Sequence, residues 1–411
     1  MSKNRISTAK NKQMNNFRKL RNMSAILMMG ALVLTSCDDD DEEVPPVEIP
    51  TANLLTSNIT TNTTWTTGST YILGGRIAVT SGNTLTIEPG VIIKGQAGTG
   101  ANATALIIAR GAKIMAEGTS AAPIIFTSVA DEIESGMISS PNLDPDLNGL
   151  WGGLIVLGNA PISADDDAVQ IEGIPPSDQN GLYGGTDVAD DSGIIRYVSI
   201  RHGGSNIGEG NEINGLTLGG VGNSTVISYV EIVGNQDDGI EWFGGTVNVT
   251  NALVWNVGDD AIDTDQSWGG TLDNFIVVNA GDECFELDGP EGALNDEHTL
   301  TNGTVFAGGA DGLVDLDANS RLSMSNIYFF GLSAGQDFDE LPVEADGGFG
   351  DFTNFEATIP EGESVSDYFV GGSDQFVVNI AEGANTVGAN VSAFDSWTWA
   401  AASGALSGLG L

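Results

Sequence analysis

The sequence predicts an all-β protein, a right-handed parallel β-helix, on three observations. One block of residues recurs at near-constant spacing, a second column keeps the same spacing, and the runs between show strand character without a helical period. The block is clearest within residues 226–332: Asp237-Asp238-Gly239-Ile240-Glu241-Trp242, Asp259-Asp260-Ala261-Ile262-Asp263-Thr264, Asp282-Glu283-Cys284-Phe285-Glu286-Leu287 and Asp311-Gly312-Leu313-Val314-Asp315-Leu316. The starts at 237, 259, 282 and 311 are 22, 23 and 29 residues apart, and a Pro/Gly-rich insertion at 289–297 accounts for the longer step. Asn251, Asn274, Asn302 and Asn326 form the second column, each ahead of a short apolar strand at 253–255, 275–278, 305–306 and 327–330.

A unit this small cannot bury its own apolar face, whereas coils stacked about 4.8 Å apart build a continuous core. The right hand follows the general rule for parallel crossovers. Asparagine suits the turns because it tolerates left-handed backbone and its amide can bond to its counterpart on the next coil. Less regular coils are legible at 84–93, 106–115, 150–157, 194–200 and 213–221, and the stack is expected to open between Thr64 and Leu73. Two acidic insertions, 131–148 and 163–193, are too long for ordinary turns and are expected to project from one side. Beyond Ser333 the period fades, and residues 394–406 (FDSWTWAAASGAL) are expected to cover the last open coil, since a bare edge invites aggregation.

The first 57 residues have another character. Residues 23–36 form an apolar run behind Arg18-Lys19-Leu20-Arg21, too short for a spanning helix and right for a leader core. The run ends Leu34-Thr35-Ser36-Cys37, which looks like a lipobox with Cys37 as the lipidated residue, and Met14 offers a second start. An acidic stretch, Asp38 to Glu43, and the proline-rich Val44 to Pro50 follow; they suit a self-repelling spacer from a membrane. The expected organisation is a leader at 1–36, a tether at 37–57, the β-helix at 58–332 and an irregular, capping C-terminal region at 333–411. No other segment is long and apolar enough to cross a membrane as a helix.

Charge narrows the function. The chain has 14 Lys+Arg against 56 Asp+Glu, a net charge of −42, and seven of the basic residues precede Cys37. Such a surface repels nucleic acid and attracts cations. Anionic polysaccharides, normally gripped by Arg and Lys, are disfavoured ligands. With Cys37 assigned to lipid, Cys284 has no partner and is expected in the core.

Alternation points Ile240/Trp242, Ile262/Thr264, Phe285/Leu287 and Val314/Leu316 inward. Glu241, Asp263, Asp265, Glu286, Asp288, Asp315 and Asp317 then line one outer face in two columns. Like charges ~5 Å apart repel by roughly 1 kcal/mol in water and about 3 kcal/mol at an effective dielectric of 20. Those seven carboxylates are candidate Ca²⁺ ligands, because hard cations take several carboxylate and carbonyl oxygens; the alternative is a solvated acidic face screened by mobile ions. Asp237, Asp238, Asp259 and Asp260 fall on successive coils and are candidate acid/base groups for glycoside hydrolysis, or simply turn formers beside glycine. His202 is expected in a turn. Trp151, Trp255 and Trp268 are candidate sugar platforms or core residues, with Trp268 the one expected at the surface.

The motifs GNTLTIEPG (82–90), WGGLIVLGNAPI (151–162), Tyr183-Gly184-Gly185, Arg201-His202-Gly203-Gly204 and the Asp-rich coils resemble a group of β-helix lipoproteins of the Bacteroidota with a pectate-lyase-like fold. The acidic stretch after Cys37 is similar to that of cell-surface lipoproteins of the same bacteria. The resemblance covers most of the chain from about Asn58 and implies an outer-membrane, lipid-anchored, surface-exposed location without an activity. Val257 to Ile262 is similar to the Gly-Asp-Asp strand end of polygalacturonases, but the Gly-His-Gly and Arg-Ile-Lys of that family are missing. The expected function is a non-catalytic surface binding or adhesion module that holds Ca²⁺ and meets a glycan or surface protein, with no nucleic-acid partner. A carbohydrate-active enzyme on neutral glycans and a structural envelope component remain as alternatives.

Overall fold

Along the strand Val226–Val233, Ile227, Val230 and Ile232 enter the core while Ser228 and Glu231 lie on the outer face, the alternating order of a strand with one face inward, shifted by one residue at Tyr229. The same order repeats coil after coil and produces two large sheets, one of 15 strands and one of eight. Neighbouring strands within both sheets run parallel, as in Val249↔Leu272↔Leu300↔Met324 and Ile240↔Ile262↔Phe285. The molecule is a parallel β-helix. The computed structural model describes residues 53–208 and 212–411, so the leader, Cys37 and the tether as far as residue 52 lie outside the described residues.

The long sheet is built in two ways. Early coils carry two separate strands, Lys113–Glu117 and Ile124–Ser128, and both pair with the single strand Gly193–Arg201 of the next coil. Where they merge, Tyr197 takes a left-handed backbone, φ 50°. Below it the same place is held by Tyr229, Asn251, Asn274, Asn302, Asn326 and Asn354, all with φ from 56° to 60°. The asparagine column is therefore a one-residue corner inside a long strand, rather than a turn ahead of a short one. Left-handed backbone costs most L-residues roughly 1–2 kcal/mol and asparagine least. The amides also bond up the stack, Asn274 Nδ2 donating to Asn251 Oδ1 at 2.6 Å and Asn354 Nδ2 to Asn326 Oδ1 at 3.2 Å.

The stack is longer than the sequence expects at both ends. It opens with Leu54–Leu55 against Thr70–Leu73, ahead of Thr64. Past residue 332, Phe349–Ala357 and Val377–Asn379 continue the long sheet, while the short sheet dwindles to the bridges Val314↔Phe338↔Phe369. The period fades because one face shrinks to single residues, although Phe329, Phe355 and Phe369 still pack edge to face inside. Cys284 lies in the core, as expected.

Residues 394–406 do not close the last coil. Phe394, Trp397, Trp399, Ala400 and Leu406 lie on the outer face of the long sheet against Val233, Leu253, Trp255, Ile276 and Val278. Those strand halves are apolar on both faces and must be covered. The segment is fastened over a fully buried Arg201, whose guanidinium is 3.7 Å from Glu231 and 5.0 Å from the Trp399 ring; Glu231 Oε1 also accepts the Ala400 N–H at 3.0 Å. The two acidic insertions lie flat on different faces instead of projecting from one side. The first sinks Ile133 between Ile92 and Ile125, and the second packs Ile171, Ile174 and Tyr183 onto Ile107, Ile155 and Leu157 of the short sheet.

Asn274→Ala keeps the φ 60° corner but removes the bond to Asn251 and the acceptor for the Asn390 N–H at 2.5 Å. Chemical denaturation is expected to show a loss of about 1–3 kcal/mol, with Asn274→Gly less affected because glycine is at ease in this backbone.

Candidate cation site on the acidic face

The outer face of the short sheet changes chemistry along the stack. One registered column reads Ala78, Ile107, Ile155, Thr217, Glu241, Asp263, Glu286, Asp315. The second insertion roofs the apolar half, with Tyr183 packed against Phe243. The carboxylates begin where this roof ends. Hence Glu241 and Asp263 are buried, at 5% and 9% exposure, Glu286 and Asp315 are half-buried, and Asp317 is exposed. The parallel column runs Gly219, Phe243, Asp265, and Asp288 and Asp317 directly follow their strands.

The turn acids reach the same place. Asp238 Oδ1 accepts the Asp260 N–H at 3.0 Å and Asp260 Oδ1 accepts the Glu283 N–H at 2.6 Å, so each coil caps the turn below it. Asp238 and Asp260 are thus turn formers, as one sequence alternative holds, but their location is unusual for that role. Ligand oxygens of Asp237, Asp238 and Asp259 lie within 4.8 Å of one another, and so do those of Asp238, Glu241 and Asp263. The two triads share Asp238. The groups assigned from sequence to separate roles, Asp237, Asp238 and Asp259 on one side and Glu241 and Asp263 on the other, form one cluster.

Among the described residues, no basic side chain is among the charges that act on it. Burial, followed by neighbouring carboxylates, pushes Asp238, Glu241 and Asp263 well above the ordinary carboxylate range. Burial with the same kind of neighbour raises Asp259 and Asp265 to about 6 and Asp288 to about 7. Asp260 is raised by burial and by a hydrogen bond shared with Glu286. Glu172, from the insertion, and Glu212 add to the repulsion on Asp237, and Glu172 Oε1 accepts the Glu212 N–H at 3.0 Å. The face is not a freely solvated row of charges; its upper part is enclosed.

Asn214, 2% exposed, leans into the cluster: its Nδ2 donates to Glu241 Oε2, and its Oδ1 is buried without a partner. Because the two amide atoms share one carbon, the orphaned carbonyl oxygen lies beside the carboxylates. An all-oxygen donor set with a spare amide carbonyl and no nitrogen or sulfur suits a hard divalent cation. Glu172 and Glu212 escaped the sequence reading because nothing in their spacing links them to the columns, whereas Asn214 stands one coil above Asp238 in the turn column, where a search for carboxylates passes over an amide.

The tryptophans go elsewhere. Trp151 and Trp268 are fully buried and Trp255 is 6% exposed beneath Trp399. Trp268, expected at the surface, stacks on Trp242 at 4.6 Å and on His298 at 5.2 Å, its Nε1 donating to Val247 O, because its loop is the end of the strand Ile262–Trp268. None of the three is a sugar platform. His202 occupies a left-handed turn position, φ 57°, with Nδ1 2.6 Å from Leu147 O.

Fold and face together define a parallel β-helix with an acidic outer groove. The chain belongs to the family of pectate-lyase-like β-helix domains, whose model matches residues 57–401. No curated protein and no solved structure matches it.

The pH dependence follows from the raised acids. With Asp259, Asp265 and Asp288 titrating near 6 to 7 in the fold and near 4 unfolded, the native state binds more protons across that interval. As far as these groups decide it, stability of the metal-free protein is therefore expected to be greatest below about pH 4, to fall as pH rises from about 4 to about 7, and to level off above that. Urea midpoints across this range check it, and Asp263→Asn is expected to raise the midpoint at pH 8.

Proposed function

We propose that this protein is a non-catalytic binding module, held at the outer membrane surface through lipid on Cys37, whose acidic groove carries Ca²⁺. Supporting the cation is one observation above the rest: Asp238, Glu241 and Asp263 converge within 4.8 Å under cover, beside an orphaned Asn214 oxygen, with no basic group among the charges acting on them. Buried like charges destabilise a fold unless they take up protons or a cation. A divalent ion at Asp238 meets both triads. Supporting the location are the lipobox-like run before Cys37 and the acidic, proline-rich spacer behind it. The spacer repels itself and extends, which suits a domain held clear of a membrane.

A binding role is favoured over hydrolysis by the use already made of the turn acids. Asp238 and Asp260 each commit one carboxylate oxygen to capping the next coil, a structural duty that a catalytic acid or base does not carry. Calcium titration of the chelated protein is the test. Calorimetry is expected to show saturable binding that tightens with pH as protons are displaced. A free concentration 100 times the dissociation constant is expected to stabilise the fold by about 2.7 kcal/mol. Asp263→Asn and Glu241→Gln are expected to lose this response while remaining folded. A wild-type protein indifferent to millimolar Ca²⁺ would remove the cation, and release of reducing ends from neutral glycans that stops in Asp259→Asn would replace binding by hydrolysis.

A further inference from the structure

The seven basic residues of the β-helical body divide six to one. Arg76, Arg110 and Lys113 fasten the second insertion at Asp178, the Gly184 carbonyl and Asp191; Lys94 holds the first at the Asp131 carbonyl. Arg321 holds the 289–297 insertion through Asn295 O and Glu297, and Arg201 anchors the C-terminal segment. Arg196 fastens nothing of this kind. Its guanidinium lies 4.0 Å from an exposed Glu117 and 3.4 Å from Ser228 Oγ, with 41% of the side chain open to solvent.

Arg196 stands at the rim of a groove of about 660 Å³ on the outer face of the long sheet, on the strand halves that the C-terminal segment leaves uncovered. Tyr197, Tyr229, Ser228, Asn248 and Thr250 line it, and no carboxylate does. On a chain with 56 acidic residues, a groove lined by no carboxylate and edged by one solvent-open arginine is a chemical exception.

The tyrosines are exceptions too. Tyr197 and Tyr229 occupy the left-handed corner that the coils from Asn251 onward give to asparagine. A bulky aromatic residue at positive φ is a genuine outlier, and such strain is kept where the surroundings or a ligand require it. Their half-buried rings stack at 4.3 Å with 15° between planes, and Trp397 meets both edge-on at one side. Stacked phenols flanked by hydroxyls, amides and a guanidinium supply what a sugar ring needs: an apolar face for its C–H groups and planar donors and acceptors for its hydroxyls.

We infer that this groove is a saccharide-binding site, with Tyr197 and Tyr229 as its platform and Arg196 as its polar clamp. It lies on a different sheet from the acidic groove and does not depend on the cation assigned there.

The asparagine column supplies the test. In the double variant Tyr197→Asn/Tyr229→Asn each corner receives the residue that its own fold uses at the equivalent position below, so the platform is removed without a demand on the backbone. Calorimetry on the full chain with xylohexaose, mannohexaose, laminarihexaose and trigalacturonate is expected to show saturable binding to at least one. That binding is expected to weaken at least ~tenfold in the double variant, to persist in Asp263→Asn, and to leave the melting temperature of the double variant equal to or above wild type. Preference for trigalacturonate, lost in Arg196→Gln, assigns an acidic sugar; retention of the neutral chains assigns a neutral one. Indifference to all four sugars, affinity unchanged in the double variant, or a double variant that melts early with its C-terminal segment released would each overturn the assignment and make the tyrosines packing residues for Trp397.

Discussion

In-register stacking governs this molecule. Once coils repeat at about 22 or 23 residues, every side chain has its equivalent on the next rung about 4.8 Å away, and whatever one coil gains or suffers is multiplied. Apolar residues profit, as the Phe285, Phe329 and Phe355 contacts show. Amides profit because each is both donor and acceptor, so Asn274 donates to Asn251 while its own oxygen accepts the Asn390 N–H. Carboxylates do not, since an ionised carboxylate only accepts. Glu241, Asp263, Glu286 and Asp315 are stacked by the same rule that serves the asparagines, and their repulsion must be met from outside the repeat.

The loops determine how it is met. Where the outer column is apolar, the second insertion can cover it as any core is covered; where the column turns acidic, the same insertion brings Glu172 towards the charges. That is a poor way to build a stable empty groove. Burial and mutual repulsion both shift the acids towards their protonated forms, and Asn214 adds a carbonyl oxygen with nothing to bond. The basic residues, which might have neutralised the face, instead hold down the segments that wrap the stack. Among the described residues, six of the seven basic side chains stand at the seams between the repeat and its additions.

The same division explains what the sequence discloses. Everything that belongs to the repeat is legible: the coil length, the inward set, the registration of Asp263 with Glu286 and Asp315, and the left-handed asparagine column. Everything that belongs to the additions is not. The direction in which 131–148 and 163–193 fold, the path of 394–406 and the approach of Glu172 depend on contacts between residues far apart in sequence, for which spacing carries no signal. Trp268 marks the boundary. Flanking glycines gave it the look of an exposed loop residue, yet it ends a strand and stacks in the core. The end of the stack was misplaced for a related reason, since a sheet reduced to the bridges at Phe338 and Phe369 leaves no run of strand residues to detect.

Within a repeat, departures from the column carry more information than agreement with it. An asparagine at φ near 60° says only that the corner is a corner; a tyrosine there says that something else has overridden the cheapest solution. The acidic column invites the same reasoning from the opposite side, because Ile155 and Thr217 show that the outer position tolerates uncharged residues without loss of register. Glu241 and Asp263 are therefore not imposed by the fold. They are retained at a position where the stack makes charge expensive, beside a roof that makes it more so. Both grooves are then places where stability has been given up against the rule that builds the rest, which separates a site from scaffold in a molecule made of repeated scaffold.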